Sequence, residues 1–170
     1  MRIISNDDGT WEMRRISEIE FRMLSKIGEA ADPEGSDDAM QRLYPSPLGR
    51  PAMDDDEDEF IGDWEGLVRP DLERQFKTAI EVVHDDMRTI KSRKRGGEIE
   101  YRLVVPKKHA DDWCSALNQA RLVLHERFSL PDEEEDFEMD GSPEQWLAMI
   151  QSEIYGAIIE FLVRSILWLK

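Results

Sequence analysis

DDWCSALNQARLVLHERF, residues Asp111 to Phe128, decides the fold of this chain. As an α-helix with about 100° between residues, this stretch places most of its apolar side chains on one arc of about 140°. The arc contains Trp113, Ala116, Leu117, Ala120, Val123, Leu124 and Phe128. Outside it lie Asn118, Leu122 and His125, with Cys114 and Arg121 at its shoulder. The helix therefore has two contact faces, and we expect another layer of protein, a partner subunit or a ligand on the second one.

A second long helix is predicted near the C-terminus. The pattern S-P-E-Q, which begins at Ser142, is a capping box with proline in the first turn, and the helix should run to Leu169. From Ile154 to Leu169 the only charged residues are Glu160 and Arg164, one turn apart. We expect such a helix to be buried on nearly all sides or to form half of a homodimer interface. A membrane span is disfavoured, because the run is shorter than about 20 residues and carries two charges.

Two further helices follow from periodicity. A capping box at Ser17 begins the first, whose apolar spacing continues to Pro33. Pro70 stands at a favourable first position of the second, which has the cleanest single apolar face and should end near Arg93. The basic run from Arg88 to Arg95 is interpreted as cations at that helix C-terminus, followed by a flexible turn, in preference to a nucleic-acid contact.

A small antiparallel sheet is predicted beside the helices. Asp8-Gly9 favours a tight turn between two short strands, Ile3–Ile4 and Trp11–Ile16. Alternating apolar residues from Glu98 to Val105 predict a third strand. The predicted fold is therefore mainly α, a helical bundle with a hairpin plus a third strand.

The chain is predicted to form a single domain, 1–170, with one mobile acidic loop at 45–59. A chain of 170 residues that is 40% hydrophobic can bury a sizeable core. Between Pro45 and Glu59, three prolines and six consecutive acidic residues offer little apolar surface to offset the entropy of ordering.

The two motifs near the C-terminus resemble a known family. Residues from Trp113 to Arg127 read W-x-x-A-L-N-x-x-R-L-x-L-x-x-R, and W-L-x-x-x-Q follows from Trp146 to Gln151. Together they are similar to the signature of a bacterial domain of unknown function, which some genomes encode beside the protease adaptor ClpS. The element from Arg42 to Pro45 adds to the resemblance. Membership implies a mostly helical fold and supplies no established activity.

Composition and charge exclude several function classes. The formal net charge of −16 at pH 7 opposes sequence-independent binding to phosphate backbones or anionic membranes. Cys114 is the single cysteine, so no intramolecular disulfide can form, and residues 1–8 contain no apolar segment typical of a signal peptide. We therefore expect a cytoplasmic protein that binds neither membranes nor nucleic acids.

The histidine, cysteine and acidic residues of the sequence do not match the spacing of a known metal site. Cys114 and His125 are about 16 Å apart along one helix, too far to share an ion, and the other candidates are His84 and His109. The stretch from Asp136 to Gly141 resembles the start of a calcium loop, but Leu147 stands where the final glutamate should be. The sequence predicts no metal and no cofactor.

The best candidate for a binding site is the trio Asn118, Arg121 and His125. Arg121 can hold a carboxylate, and His125 can exchange a proton near neutral pH. No nucleophile, Walker loop or dinucleotide motif accompanies them, and a structural polar seam between helices is the favoured interpretation. We therefore predict a non-catalytic interaction protein with a protein partner, which includes a homodimer through the C-terminal helix, and an accessory role in regulated proteolysis. A small-molecule-binding protein or enzyme with its site at this trio, and an acidic protein that occupies a basic surface of a partner, are the alternatives.

Overall fold

Helices pack against one face of a four-stranded antiparallel sheet in the computed structural model, which describes residues 1–51, 53–131 and 142–167. The strands are β1 (Arg2–Ser5), β2 (Thr10–Ile16), β3 (Lys91–Arg95) and β4 (Glu98–Pro106). The helices are α1 (Glu18–Ser25), α2 (Ile27–Ala30), α3 (Asp37–Leu43), α4 (Asp55–Asp63), α5 (Arg69–Met87), α6 (Ala110–Phe128) and α7 (Pro143–Leu167). A π-helical segment, Trp64–Val68, joins α4 to α5, and a short 3-10 turn, Lys107–His109, precedes α6.

The sheet has the order β1-β2-β4-β3. Trp11 lies opposite Val105, and Met13 lies opposite Leu103, so these four side chains share the face that the helices cover. All four are buried. The predicted hairpin is confirmed, with Gly9 at a φ of 82° in its turn, and so is the predicted third strand, which is β4.

The structure corrects the interpretation of the basic run. α5 ends at Met87 and not near Arg93, and Lys91–Arg95 forms the edge strand β3. Gly96 and Gly97 both have positive φ, 58° and 93°, so they reverse the chain tightly and bring the basic residues alongside β4. The sheet therefore has four strands where three were predicted.

α6 is the central helix, one residue longer at its start than predicted. Its apolar arc is buried, apart from the half-buried Phe128, and it contacts α2, α3, α5 and α7. Leu122 of the second face packs on α3, where it joins a small cluster with Ala39, Leu43 and Val123, the last of which belongs to the apolar arc. A layer of protein therefore covers this part of the second face, and it is one of the three occupants that the sequence left open.

α1 and α7 both begin with the predicted capping box. In α1 the Ser17 hydroxyl accepts from the backbone of Glu20, while the Glu20 carboxylate accepts from the backbone of Ser17. In α7, Ser142 and Gln145 exchange the same pair of bonds, at 3.0 and 3.2 Å. The first helical pattern is interrupted at Lys26, where α1 ends and the short α2 follows.

α7 is less buried than the sequence predicted. Its inner face packs on α6 through five buried residues: Ala148, Ser152, Tyr155, Ile158 and Leu162. On its other sides Leu147 is 57% exposed, and Ile150 and Val163 are each 42% exposed. Burial on nearly all sides is therefore wrong for the described chain, because the neighbouring elements cover only one side of this apolar helix.

By length and composition α7 is also able to cross a membrane. Its segment Pro143–Ser165 has 23 residues and a mean hydropathy of 1.3, and 28% of the most apolar window is buried inside the protein. The helix is thus longer than the apolar run on which the sequence argument against a span relied. Core helices of soluble proteins share these properties, so the helix alone assigns no location.

The acidic run is helical where a loop was expected. Asp54 caps α4 by accepting from the backbone of Glu57, and the acidic residues of the first turn lie at the positive end of the helix dipole. Arg50 donates to both carboxylate oxygens of Glu57, at 2.7 and 2.5 Å. Neither α4 nor the π-helical segment after it contains a buried residue. The mobility of 45–59 stays a prediction.

Candidate functional site

The candidate trio lies beside the contact between α6 and α7. There the buried hydroxyl group of Ser152 contacts two of the three residues, Arg121 and His125. Ser152 of α7 is 2% exposed and faces α6. Nε2 of His125 lies 3.1 Å from the Ser152 Oγ, and Nε of Arg121 donates to the same oxygen at 3.5 Å. The two side chains are one turn apart on α6, so a single serine holds both of them against α7.

A glycine on α7 makes room for the guanidinium of Arg121. A Cβ atom at Gly156 would lie 3.3 Å from Cζ and 3.4 Å from Nε of Arg121, tighter than ordinary van der Waals contact. Gly156 follows Ser152 by one turn, so the two residues together form a shallow recess for the guanidinium. Arg121 is half-buried in this position.

The outer side of the seam opens into a polar groove of about 810 Å³. Its lining consists of Asp38, Arg42, Asn118, Arg121, Leu122, His125, Glu126, Ser129, Leu130 and Pro131. Asn118 is exposed at its rim, and Nε of Arg42 lies 3.7 Å from a carboxylate oxygen of Glu126. The structure thus brings the predicted trio together on one groove and adds Arg42 as a further cation.

The geometry of the groove suits binding better than covalent catalysis. Ser152 is the hydroxyl nearest to His125, but its burial between two helices keeps it from a substrate in the groove. Burial raises the pKa of the half-buried Cys114 thiol, so that thiol stays protonated near neutral pH. Arg42, Arg121 and His125 can instead hold an anionic group such as a carboxylate or phosphate.

The sequence reasoning missed a second polar cluster at the base of α5. The buried Asp86 accepts from Nε1 of Trp113 at 2.9 Å, and Nδ1 of His109 lies 2.9 Å from the same carboxylate oxygen. Asp86 follows Val83 by three residues on the apolar face of α5, and an acid at that spacing was the signal that could have revealed it. The carboxylate ties α5 to the start of α6, which is a structural role.

Metal binding finds no support among the residues that the structure describes. In 1–51, 53–131 and 142–167, no three His, Cys, Asp or Glu side chains are grouped so that they could hold an ion. The calcium-loop resemblance at Asp136 to Gly141 lies outside the described residues.

Comparison with known proteins gives one family match. The family described as "Domain of unknown function (DUF2017)" matches residues 5–166, which include every residue of the seam and the groove. No curated protein and no solved structure matches the chain.

Proposed function

We propose that the chain, which belongs to the DUF2017 family of unknown function, is a non-catalytic interaction protein that binds a second copy of itself through the outer face of α7. The proposal rests on one observation, an apolar stripe that the rest of the described chain covers only in part. We call it the α7 stripe, and it consists of Leu147, Ile150, Ile154, Ala157 and Phe161.

The spacing of the α7 stripe is that of a coiled-coil seam. Its members follow one another at intervals of three, four, three and four residues, the repeat that lets two helices pack knobs into holes. Leu147, Ile150 and Ala157 are exposed, and Ile154 and Phe161 are half-buried. A stripe of this kind at the surface is typical of a protein–protein contact.

Net charge does not prevent such a dimer. Two chains of charge −16 repel each other at long range, but at physiological ionic strength the screening length is about 8 Å. Within the stripe the chain has Ala157, and a residue this small lets two helices approach closely. Burial of the stripe side chains then favours association.

Two matched variants test this interface. Ile150 and Val163 are equally exposed, at 42%, but Ile150 belongs to the α7 stripe and Val163 lies on another side of the helix. In sedimentation velocity, Ile150→Glu should convert the dimer to a monomer, whereas Val163→Glu should leave it dimeric. Equal behaviour of the two variants would contradict the stripe as the interface.

We propose regulated proteolysis as the process in which this interaction protein acts. The support is the resemblance to a family that some genomes encode beside the protease adaptor ClpS. Direct binding of the purified chain to purified ClpS, measured by titration calorimetry, tests the idea. Absence of heat change at micromolar concentrations would remove it.

The groove supports a second candidate function, the binding of a small anionic molecule at Asn118, Arg121 and His125. Three basic side chains line this groove, and an anion could contact them without entering the seam. Titration with inorganic phosphate should then raise the melting temperature of the wild type more than that of Arg42→Ala. Arg42 suits this test because its side chain is 60% exposed, so its removal should leave the fold intact.

A further inference from the structure

The positive charge of this acidic chain is concentrated on the sheet. Residues 1–16 and 91–108, which contain all four strands, hold ten of the 22 lysines and arginines but only five of the 38 aspartates and glutamates. These two segments are therefore net positive, and the rest of the chain is more negative than the chain as a whole. A separation of charge this strong within one fold creates local fields of opposite sign on its surface.

The cations form a row across the outer face of the sheet. Arg2 lies directly opposite Arg14 on β1 and β2, and Lys91 lies directly opposite Arg102 on β3 and β4. Like charges in directly opposed positions of a sheet destabilise it. These pairings do not by themselves stabilise the fold, and Arg2 and Lys91 in particular point to a role for the row outside folding.

A buried acid holds the centre of the row in place. Glu12 on β2 is 2% exposed and accepts hydrogen bonds from Arg14 and from Arg102 on the neighbouring strand. The hydrogen bond from Arg14, with that from Arg102, lowers the pKa of Glu12 to about 2, although burial acts in the opposite direction. The carboxylate thus stays ionised and keeps both guanidinium groups on this face.

The row continues as a groove of about 520 Å³ that is lined by several further cations. A bulge between Met13 and Ile16, with Arg15 at a φ of 53°, places both Arg14 and Arg15 at its wall. The groove is lined as well by Lys91 and Arg93 of β3. No ion pair joins Arg15, Lys91 or Arg93 to a residue that the structure describes. They are free to bind an external anion.

The strand at this edge of the sheet is open. β3 lies at the end of the strand order, and the described part of the chain forms no backbone hydrogen bond to its outer side. Lys91, Ser92, Arg93 and Lys94 are all exposed. An edge strand of this kind can accept an extended peptide as an additional strand.

We propose that the β3 edge, with the outer sheet face beside it, binds an extended acidic segment of a partner protein, which pairs with β3 as a fifth strand and places carboxylates against Lys91 and Arg93. This inference is independent of the α7 stripe. A nucleic acid fits less well, because a long polyanion would continue from the sheet onto the acidic helical surface. The one tyrosine of the sheet, Tyr101, faces inward, where it stacks on Phe21 and donates to Glu18, so it offers no platform for a base.

A short fluorescein-labelled peptide in which Glu alternates with Thr tests the proposal by fluorescence anisotropy. The wild-type chain should bind it saturably, and the affinity should fall as salt is raised. Lys91→Glu combined with Arg93→Glu should weaken binding about tenfold or more, because two attractive contacts become repulsive. The matched control is Arg74→Glu combined with Lys77→Glu on α5, which changes the net charge equally and should leave binding within about twofold of the wild type after screening.

Two further probes test the chemistry of the ligand and the mode of binding. The same peptide with an N-methyl group at every residue has no backbone N–H left for strand pairing at either edge and should bind much more weakly. A labelled oligothymidine of equal length should bind more weakly than the acidic peptide.

Three results would overturn the inference. Absence of peptide binding at low salt would make the cations of β3 a device against edge aggregation only. Equal affinity for the N-methylated peptide would exclude the fifth strand, and tighter binding of the oligonucleotide would exclude an acidic protein segment. None of these results changes what sedimentation reports on the α7 stripe.

Discussion

Nε2 of His125 lies 3.1 Å from the Oγ of Ser152, across the seam between α6 and α7. Because Ser152 is buried, the contact fixes the imidazole against α7, and His125 also lines the groove. The seam is therefore the structural part of the candidate site, and the groove is the part that a ligand can reach. Substitutions on the two sides should separate these roles.

Arg121→Ala is expected to lower the free energy of unfolding by about 2 kcal/mol, because it removes a half-buried guanidinium from a buried hydroxyl. Urea denaturation measures the change. Arg74→Ala on α5, where the side chain is 73% exposed, is the control and should cost about 0.5 kcal/mol or less. An unchanged midpoint for Arg121→Ala would favour the ligand-binding function over the structural one.

Gly156→Ala should stabilise the chain more when Arg121 is absent than when it is present. Alanine is better than glycine inside a helix by about 1 kcal/mol, but the added methyl group would press on the guanidinium. A double-mutant cycle of Gly156→Ala and Arg121→Ala, measured in urea, isolates this coupling. If Gly156→Ala raised the free energy of unfolding equally with Arg121 present and with Arg121 replaced by alanine, the guanidinium would not lie against α7.

Asp86→Ala should destabilise the chain by about 2–3 kcal/mol, because it leaves the Trp113 indole N–H without its acceptor inside the core. Asp85→Ala is the matched control, since this neighbour on α5 is 72% exposed and its pair with Arg88 lies at the surface. Thermal unfolding of the two variants should differ clearly. Similar melting temperatures would mean that Asp86 has no structural role.

The acid sensitivity of the chain should depend on Glu12. Hydrogen bonds from Arg14 and then Arg102 lower the pKa of Glu12 from its ordinary 4.5 to about 2 in the folded chain. Its contribution to stability is therefore complete above pH 4.5 and is lost as the pH falls from there toward about 2. Urea midpoints of the wild type should fall more steeply across this window than those of Glu12→Gln. Parallel pH profiles would refute the depressed pKa.

Local signals in the sequence predicted the parts of the fold that depend on local contacts. The capping boxes at Ser17 and Ser142 and the turn at Gly9 involve residues no more than three positions apart, and the structure has all of them. The two faces of α6 followed from helical periodicity, because each face is fixed by 3.6 residues per turn. The proximity of Asn118, Arg121 and His125 on α6 was therefore predictable, while their role as a binding site stays a prediction.

Long-range contacts account for what the sequence did not predict. β3 has no apolar alternation of its own and becomes a strand because Gly96 and Gly97 return it to β4. The partners Ser152 and Asp86 act through neighbours 27 residues away in sequence, His125 and Trp113, and no spacing rule links such pairs. The exposure of α7 depends likewise on which elements cover it, and composition does not contain that information.

Sedimentation equilibrium of the wild-type chain across micromolar concentrations tests the central claim most directly. If the α7 stripe binds a second copy, the chain should show twice the mass of one chain at the upper end of the range and dissociate on dilution. Ile150→Glu should have the mass of one chain throughout. A wild-type chain that remains a monomer at every concentration would contradict the proposed self-association.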